Sequence, residues 1–393
     1  MTDKTIGPRL AGVALSVLLS TVVIGGALGG FWFGRHKLGA VIAVETETKS
    51  LYDVIGKEID DPSAARALAQ LYGVRPDDRD ALVKRLRGVA WVPPSRPAPF
   101  VGHVARSLPG DEPHINGLGF RDARDGYATK PDRTIRIFVT GGSMAWGSGA
   151  PSQKTTVPQL LEDRLNARLS PVTGLRYEVV NTAFPAWSTT QEKLLVQQKL
   201  VDMKPDLILM LSGNNDVHWS QLGADVRWFQ SYADQNVMRA LDEIYRNTGH
   251  AELAVNLQKT SGRPVDCRTV GRITSRNVRE AAFAARLAGA RLVFALQPNI
   301  VSAAKPLTDH ERKILARQDT AYWDACYRQI RELSRFEAPG YEFLDLSRSF
   351  GDVGGDTELF IDAYHFAELG NRLVAEALFD RIDWTSLKPA EAE

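Results

Sequence analysis

A three-layer α/β domain with a parallel sheet is the fold that this chain of 393 residues predicts. Five short apolar runs, at 135–142, 177–183, 206–213, 290–298 and 341–347, are each bounded by turn residues. Stretches of helical spacing separate them. Runs of this length and apolarity read as strands buried on both faces, and their alternation with helices implies a parallel sheet covered on each side. With 44% hydrophobic residues, the chain can also fill such a core and a smaller region beside it.

The N-terminus carries a different signal. From Leu10 to Gly34 there are 25 residues without a charge, flanked by Arg9 and by Arg35, His36 and Lys37. A helix of that length spans about 37 Å, enough to cross a hydrocarbon core of about 30 Å. Phe31, Trp32 and Phe33 close the stretch like an interfacial belt. A cleaved signal peptide is the rival reading, but its apolar core is shorter and no Ala-x-Ala site follows. The expectation is a single-pass anchor at 10–34 behind a tail at 1–9. Lys4 and Arg9 on one side and Arg35 and Lys37 on the other barely discriminate its orientation.

Residues 35–133 read as a membrane-proximal helical and linker region. Charged helical patterns fill about 46–89, with boundaries at Asp61-Pro62 and Pro76-Asp77, before the proline-rich stretch 91–100. The main domain is then expected over 134–384, with a tail at 385–393.

Within that domain the helices follow from spacing. Pro158 suits a first turn, and Leu161, Leu165 and Leu169 fall four apart. Thr274 or Ser275 can cap a helix carrying Val278, Ala282 and Phe283, closed by Gly289. One helical stretch covers about 309–335. A last one runs through Leu369, Leu373, Val374, Ala377 and Leu378.

Composition removes several function classes. There are 48 basic and 47 acidic residues and no basic run, which argues against a nucleic-acid partner. The glycines near residue 142 lack the lysine of a phosphate loop. Cys267 and Cys326 form no Cys-x-x-Cys and are too few for a zinc site, so no metal or cofactor is expected. They could form one disulfide or stay two buried thiols.

Three clusters carry the chemistry. Gly141-Gly142-Ser143 ends the first run, Gly213-Asn214-Asn215-Asp216 ends the third, and Asp362-Ala363-Tyr364-His365 lies near the C-terminus. A serine hydroxyl needs a base within hydrogen-bond reach, a group to orient that base, and donors for the oxyanion. Ser143, His365, Asp362 and Asn215 are candidates for those parts. In open parallel sheets the ligand crevice lies beyond the carboxyl ends of the strands, where Ser143, Ala183 and Asn215 fall. Asp216 reads as structural, fixing the turn that presents Asn215.

This set resembles the SGNH (GDSL-type) hydrolases. The resemblance implies Ser143 as nucleophile, His365 as base, Asp362 as its orienting carboxylate, and an oxyanion hole of Ser143, Ala183 and Asn215. It also implies a flavodoxin-like strand order of 2-1-3-4-5. Two departures stand out. Ala183 occupies the position matched to the family's second-block glycine, and Gly142 replaces the aspartate of the common Gly-Asp-Ser. An Asn-x-x-Gly-Phe-Arg stretch at 116–121 is similar to one in membrane-associated members, with Arg121 more at home in a structural salt bridge than at a substrate.

The function so implied is a serine esterase acting on acyl, chiefly acetyl, esters of a saccharide or lipid. An O-acetyltransferase fed by a membrane acyl-donor partner would use the same acyl-enzyme. A catalytically silent polysaccharide-binding or assembly module is the third reading. The resemblance also points to an extracytoplasmic catalytic domain. Trp219, Trp228, Phe229 and Tyr232 follow Asp216 and could stack on sugar rings or simply form a core.

Overall fold

The structure, a computed structural model, describes residues 48–108, 110, 112–223, 241–253 and 262–389. The apolar segment 10–34 and Trp228, Phe229 and Tyr232 lie outside the described residues. Among the described residues no helix is long and apolar enough to cross a membrane. The chain divides into two compact units. The first comprises 1–44 and 235–257, and its described part holds a helical stretch at 241–247 and a single tight turn at Ala251–Leu253.

The second unit, 45–234 and 258–393, opens with the part expected to be a helical linker. A short strand β1 (Lys49–Ser50) leads into α1 (Leu51–Ile55), α2 (Pro62–Leu71) and α3 (Arg79–Arg87). Asp61 and Asp78 cap α2 and α3 by accepting from Ser63 and Ala81 N–H, and Pro62 sits in the first turn of α2. Strand β2 (Ala90–Val92) pairs with β1, and β3 (Ser95–Ala98) forms a hairpin with β4 (Gly102–Ala105). From residue 48 onward this region is no free-standing spacer. Leu51, Leu68, Leu82, Leu86, Val89 and Trp91 share a hydrophobic core with Ile361 and Ala367, which flank the Asp-x-x-His cluster.

The main sheet is built from β5 (Thr134–Gly141), β6 (Arg176–Asn181), β7 (Leu207–Ser212), β8 (Arg291–Leu296) and β9 (Tyr341–Asp345). All neighbours are parallel, in the order β6-β5-β7-β8-β9, which is the expected 2-1-3-4-5. Every residue of β5 and β7 is buried, including Arg136 of β5, which pairs with Glu178 of β6. The chain turns from β5 through α4 (Ser143–Trp146) to α5 (Val157–Arg168), where Thr156 caps the helix and Leu161 and Leu165 face the core. Between the later strands run α6 (Thr189–Gln198), α7 (Asn214–Gln221), α8 (Cys267–Leu287), α9 (Asp309–Leu315), α10 (Thr320–Arg331) and, last, α11 (Glu368–Arg381). Helix α5 packs on α11, whereas α8 packs on α6 and α10, giving the two helical layers.

Two helix boundaries differ from expectation. Helix α8 begins at Cys267, capped by the Asp266 carboxylate, and Thr274 lies inside it with its hydroxyl turned to Asp216. The stretch 309–335 breaks into α9 and α10, capped by Thr308 and Asp319. Gly289 does follow the end of α8, at φ +75°. Cys267 and Cys326 are joined in a disulfide that ties α8 to α10, so of the two alternatives the pairing holds.

Candidate active site

Strand β5 lies inside the sheet between β6 and β7, and its carboxyl end carries Ser143 as the first residue of α4. Both glycines before it stand where the chain passes close to its neighbours. A Cβ on Gly141 would stand 2.3 Å from the Leu211 carbonyl oxygen, and one on Gly142 would stand 2.2 Å from Asn215 Nδ2. The far end of α4 is held by Arg121, which is 2% exposed. Its guanidinium donates to the carbonyls of Trp146 and Gly147, at 3.1 Å each, and lies 4.3 Å from the Trp146 ring centre. Burial brings Arg121 down to about 10. Among the described residues no carboxylate lies at ion-pair distance from it, so the salt bridge expected for Arg121 is replaced by helix-end carbonyls.

His365 and Asp362 come from the loop between β9 and α11. The ring Nδ1 lies 2.9 and 2.8 Å from the two Asp362 carboxylate oxygens, and Nε2 lies 2.7 Å from Ser143 Oγ. This network assigns the proton to Nδ1 and leaves Nε2 as an acceptor for the serine hydroxyl. Asp362 also accepts the backbone N–H groups of Tyr364 and His365, at 2.8 and 2.9 Å. Desolvation pushes its carboxyl up, but the His365 ring and these backbone donors outweigh it and hold the group below the usual range. A chain of hydroxyl, imidazole and carboxylate is therefore in contact from end to end.

Asn215 sits in the first turn of α7, and its Nδ2 donates to the Trp187 carbonyl at 2.7 Å, leaving a second N–H. Its neighbour Asp216 accepts from Thr189 N–H at 3.1 Å, from Thr189 Oγ1 at 2.5 Å and from Thr274 Oγ1 at 3.0 Å. That pins α7 to α6 and α8. The second-block residue needs a correction. Ala183 is 1% exposed and its N–H donates to Asn181 Oδ1 at 3.2 Å, so that donor is spent inside the protein. Three residues on, Ala186 is partly exposed and takes φ +70°, the left-handed region that favours glycine. Among the described residues no partner is seen for its N–H, and its carbonyl accepts the Trp219 indole N–H at 3.1 Å. The Trp187 carbonyl that meets Asn215 belongs to the next residue. No pattern in the sequence marks an alanine that will take positive φ.

On the other side of the site, His218 lies four residues into α7, with Nδ1 3.4 Å from the Tyr364 hydroxyl. Desolvation lowers His218, and the Asp362 charge only partly opposes it. Among the described residues no cluster could hold a metal ion.

Solved structures similar to this chain include an alpha/beta hydrolase enzyme from the metagenome of Lake Arreo, Spain, at 15% identity and a TM-score of 0.40, covering 65% of this chain and 97% of that one. An acetyl xylan esterase matches at 14% identity and a TM-score of 0.39, over 63% of this chain and 100% of that one. The acetylxylan esterase from Geobacillus stearothermophilus matches at 14% identity and a TM-score of 0.37, over 65% and 97%. No curated protein matches the chain. Residues 137–378, more than half of the sequence, match the family model described as GDSL-like Lipase/Acylhydrolase. That span takes in Ser143, Asn215, Asp362 and His365, and the chain belongs to this family of ester-hydrolysing enzymes.

Proposed function

We propose that the protein is a serine esterase that removes acyl groups, acetyl in the first place, from a saccharide or lipid through a Ser143 acyl-enzyme. The observation that carries this reading is the unbroken contact of Ser143 Oγ, the His365 ring and the Asp362 carboxylate. Ser143 Oγ attacks the ester carbonyl carbon while His365 Nε2 takes its proton. The tetrahedral oxyanion is then held by the N–H groups of Ser143 and Ala186 and by the second Nδ2–H of Asn215. Collapse breaks the bond to the alcohol, which leaves with the proton from His365. Water, deprotonated by the same nitrogen, attacks the acyl carbon and frees Ser143 as the carboxylic acid departs.

We place the enzyme at a membrane, anchored by 10–34 with its catalytic unit on the extracytoplasmic side. The uncharged 25-residue stretch supports the anchor, and the Cys267–Cys326 pair supports an oxidising compartment. Protease treatment of intact cells, followed by detection of the catalytic unit, tests the side.

The esterase reading is tested by labelling the full chain with a fluorophosphonate and by hydrolysis of p-nitrophenyl acetate, butyrate and octanoate. Wild type should label and hydrolyse acetate fastest, and Ser143→Ala should do neither. Equal labelling of the two proteins, or none in wild type, removes the covalent mechanism. Acyl release that requires an added sugar acceptor would move the assignment to a transferase.

A further inference from the structure

One residue touching the candidate site comes from outside the family-matched span. Trp91, in β2, is 8% exposed and lies with its ring centre 4.4 Å from that of His365, the planes tilted by 56°. Its position is fixed from two sides. Val92 pairs with Lys49 of β1, while the Trp91 carbonyl accepts the Ser148 hydroxyl at 2.5 Å and the Ala90 carbonyl accepts Gly149 N–H at 3.3 Å. Ser148 and Gly149 form the turn just after α4. Tyr72, the residue after α2, adds a third tie, its hydroxyl donating to the Gly149 carbonyl at 2.8 Å. Gly149 takes φ +85°, and a Cβ there would meet Ile361 Cδ1 at 2.5 Å and the Trp91 ring at 3.4 Å. The element that presents Ser143 and the strand that presents Trp91 are thus locked in register.

An indole in this position does two things to an imidazole. It keeps water from the side of the ring it packs against, and its electron-rich π system favours a neighbouring cation. The imidazole must become a cation when it takes the Ser143 proton. Other groups around the ring are Asp362 at Nδ1, Ser143 at Nε2, Tyr364 at 6.4 Å between ring centres, and His218 beside Tyr364; the buried Tyr72 hydroxyl, just past α2, lies within reach of the Asp362 charge. Of the aromatic rings paired with His365 among the described residues, Trp91 lies nearer than Tyr364, its plane tilted to the imidazole.

We propose that Trp91 is a positioning residue for His365, holding the imidazole in line with Ser143 and favouring the charged ring that forms as Ser143 loses its proton. This rests on the esterase reading above. It makes strand β2, which precedes the main sheet, a working part of the catalytic site.

The test compares wild type, Trp91→Phe and Trp91→Leu as full chains, by the rate of fluorophosphonate labelling from pH 5 to 9 and by kcat and KM on p-nitrophenyl acetate. Leucine keeps an apolar wall and removes the π face. Trp91→Leu should label about tenfold more slowly, with the loss in kcat and KM within about twofold. Its labelling profile should also shift on the acid side toward lower pH, because the charged ring has lost a partner. Trp91→Phe should stay within about threefold of wild type. If folded Trp91→Leu matches wild type in rate and in pH profile, the proposal fails. Should Trp91→Leu not fold, Ser148→Ala decides, since it frees the Trp91 backbone: about threefold slower labelling upholds the proposal and an unchanged rate overturns it. A wild type that does not label at all sinks the esterase reading instead, so the two failures are distinguishable.

Discussion

Gly142 shows how a missing side chain can be the functional feature. The family commonly carries aspartate before its serine, yet here a Cβ at 142 would drive into the Asn215 amide and lie 3.1 Å from the Trp187 carbonyl oxygen. Gly142→Asp, which restores the common motif, is therefore expected to displace Asn215 and lower kcat on p-nitrophenyl acetate by at least about 10²; activity at the wild-type level would refute the close approach. Asn215→Ala should lose roughly 10²–10³ in kcat with its thermal midpoint little changed, since the amide donates inward only to Trp187. Ser143, Asn215, Asp362 and His365 were legible because each sits where a strand ends or a terminal helix approaches, in a pattern that local chemistry demands. Ala186 was not. Its positive φ has no local signal, and the Trp219 indole that donates to its carbonyl reaches residue 186 only in the folded chain.

At the scale of elements, the loop that carries Asp362 and His365 depends on α9. The Glu311 carboxylate accepts backbone N–H groups from Leu359 and Phe360, at 2.9 and 3.3 Å, and from Thr308 at 3.1 Å. It also pairs with Lys305, and both side chains are fully buried. Removing one partner of such a pair leaves an uncompensated charge in the interior. Glu311→Ala is expected to cost about 3–5 kcal/mol in urea unfolding and to lower kcat as the loop loosens; a loss below about 1 kcal/mol would show that Glu311 does not hold the loop. The boundaries of α8 and of the 309–335 stretch escaped the sequence reading for a related reason. Thr274 has the chemistry of a cap, and only the position of Asp216 reveals that its hydroxyl is used in mid-helix. The strands, by contrast, announced themselves through largely apolar runs, and β5, β7 and most of β8 are buried on both faces, whereas the edge strand β9 is half-buried along its length.

In the molecule as a whole, the second unit joins two hydrophobic cores at residues 361–367 and keeps a polar knot beneath the site. Glu192 of α6 is the costliest member of that knot. It is wholly buried, accepts the Ser212 hydroxyl through one oxygen, and among the described residues has no hydrogen-bond partner for the other. Burial pushes its carboxyl well above the ordinary 4.5, with Asp216 adding to the rise and Ser212 opposing it. The folded protein therefore keeps this proton at pH values where the unfolded chain has released it. Between 4.5 and the raised folded value, the native state binds more protons than the unfolded one, so stability falls as pH rises through that window. The slope for one group is about 1.4 kcal/mol per pH unit. Asp216 is also raised and contributes in the same direction, so the test must isolate Glu192. Glu192→Gln keeps an acceptor for Ser212 and has no proton to release when unfolded. Urea unfolding from pH 5 to 8 should therefore show the wild type losing stability relative to Glu192→Gln as pH rises. Parallel curves for the two proteins would mean that Glu192 ionises in the fold as it does in the unfolded chain, and that another group satisfies its second oxygen.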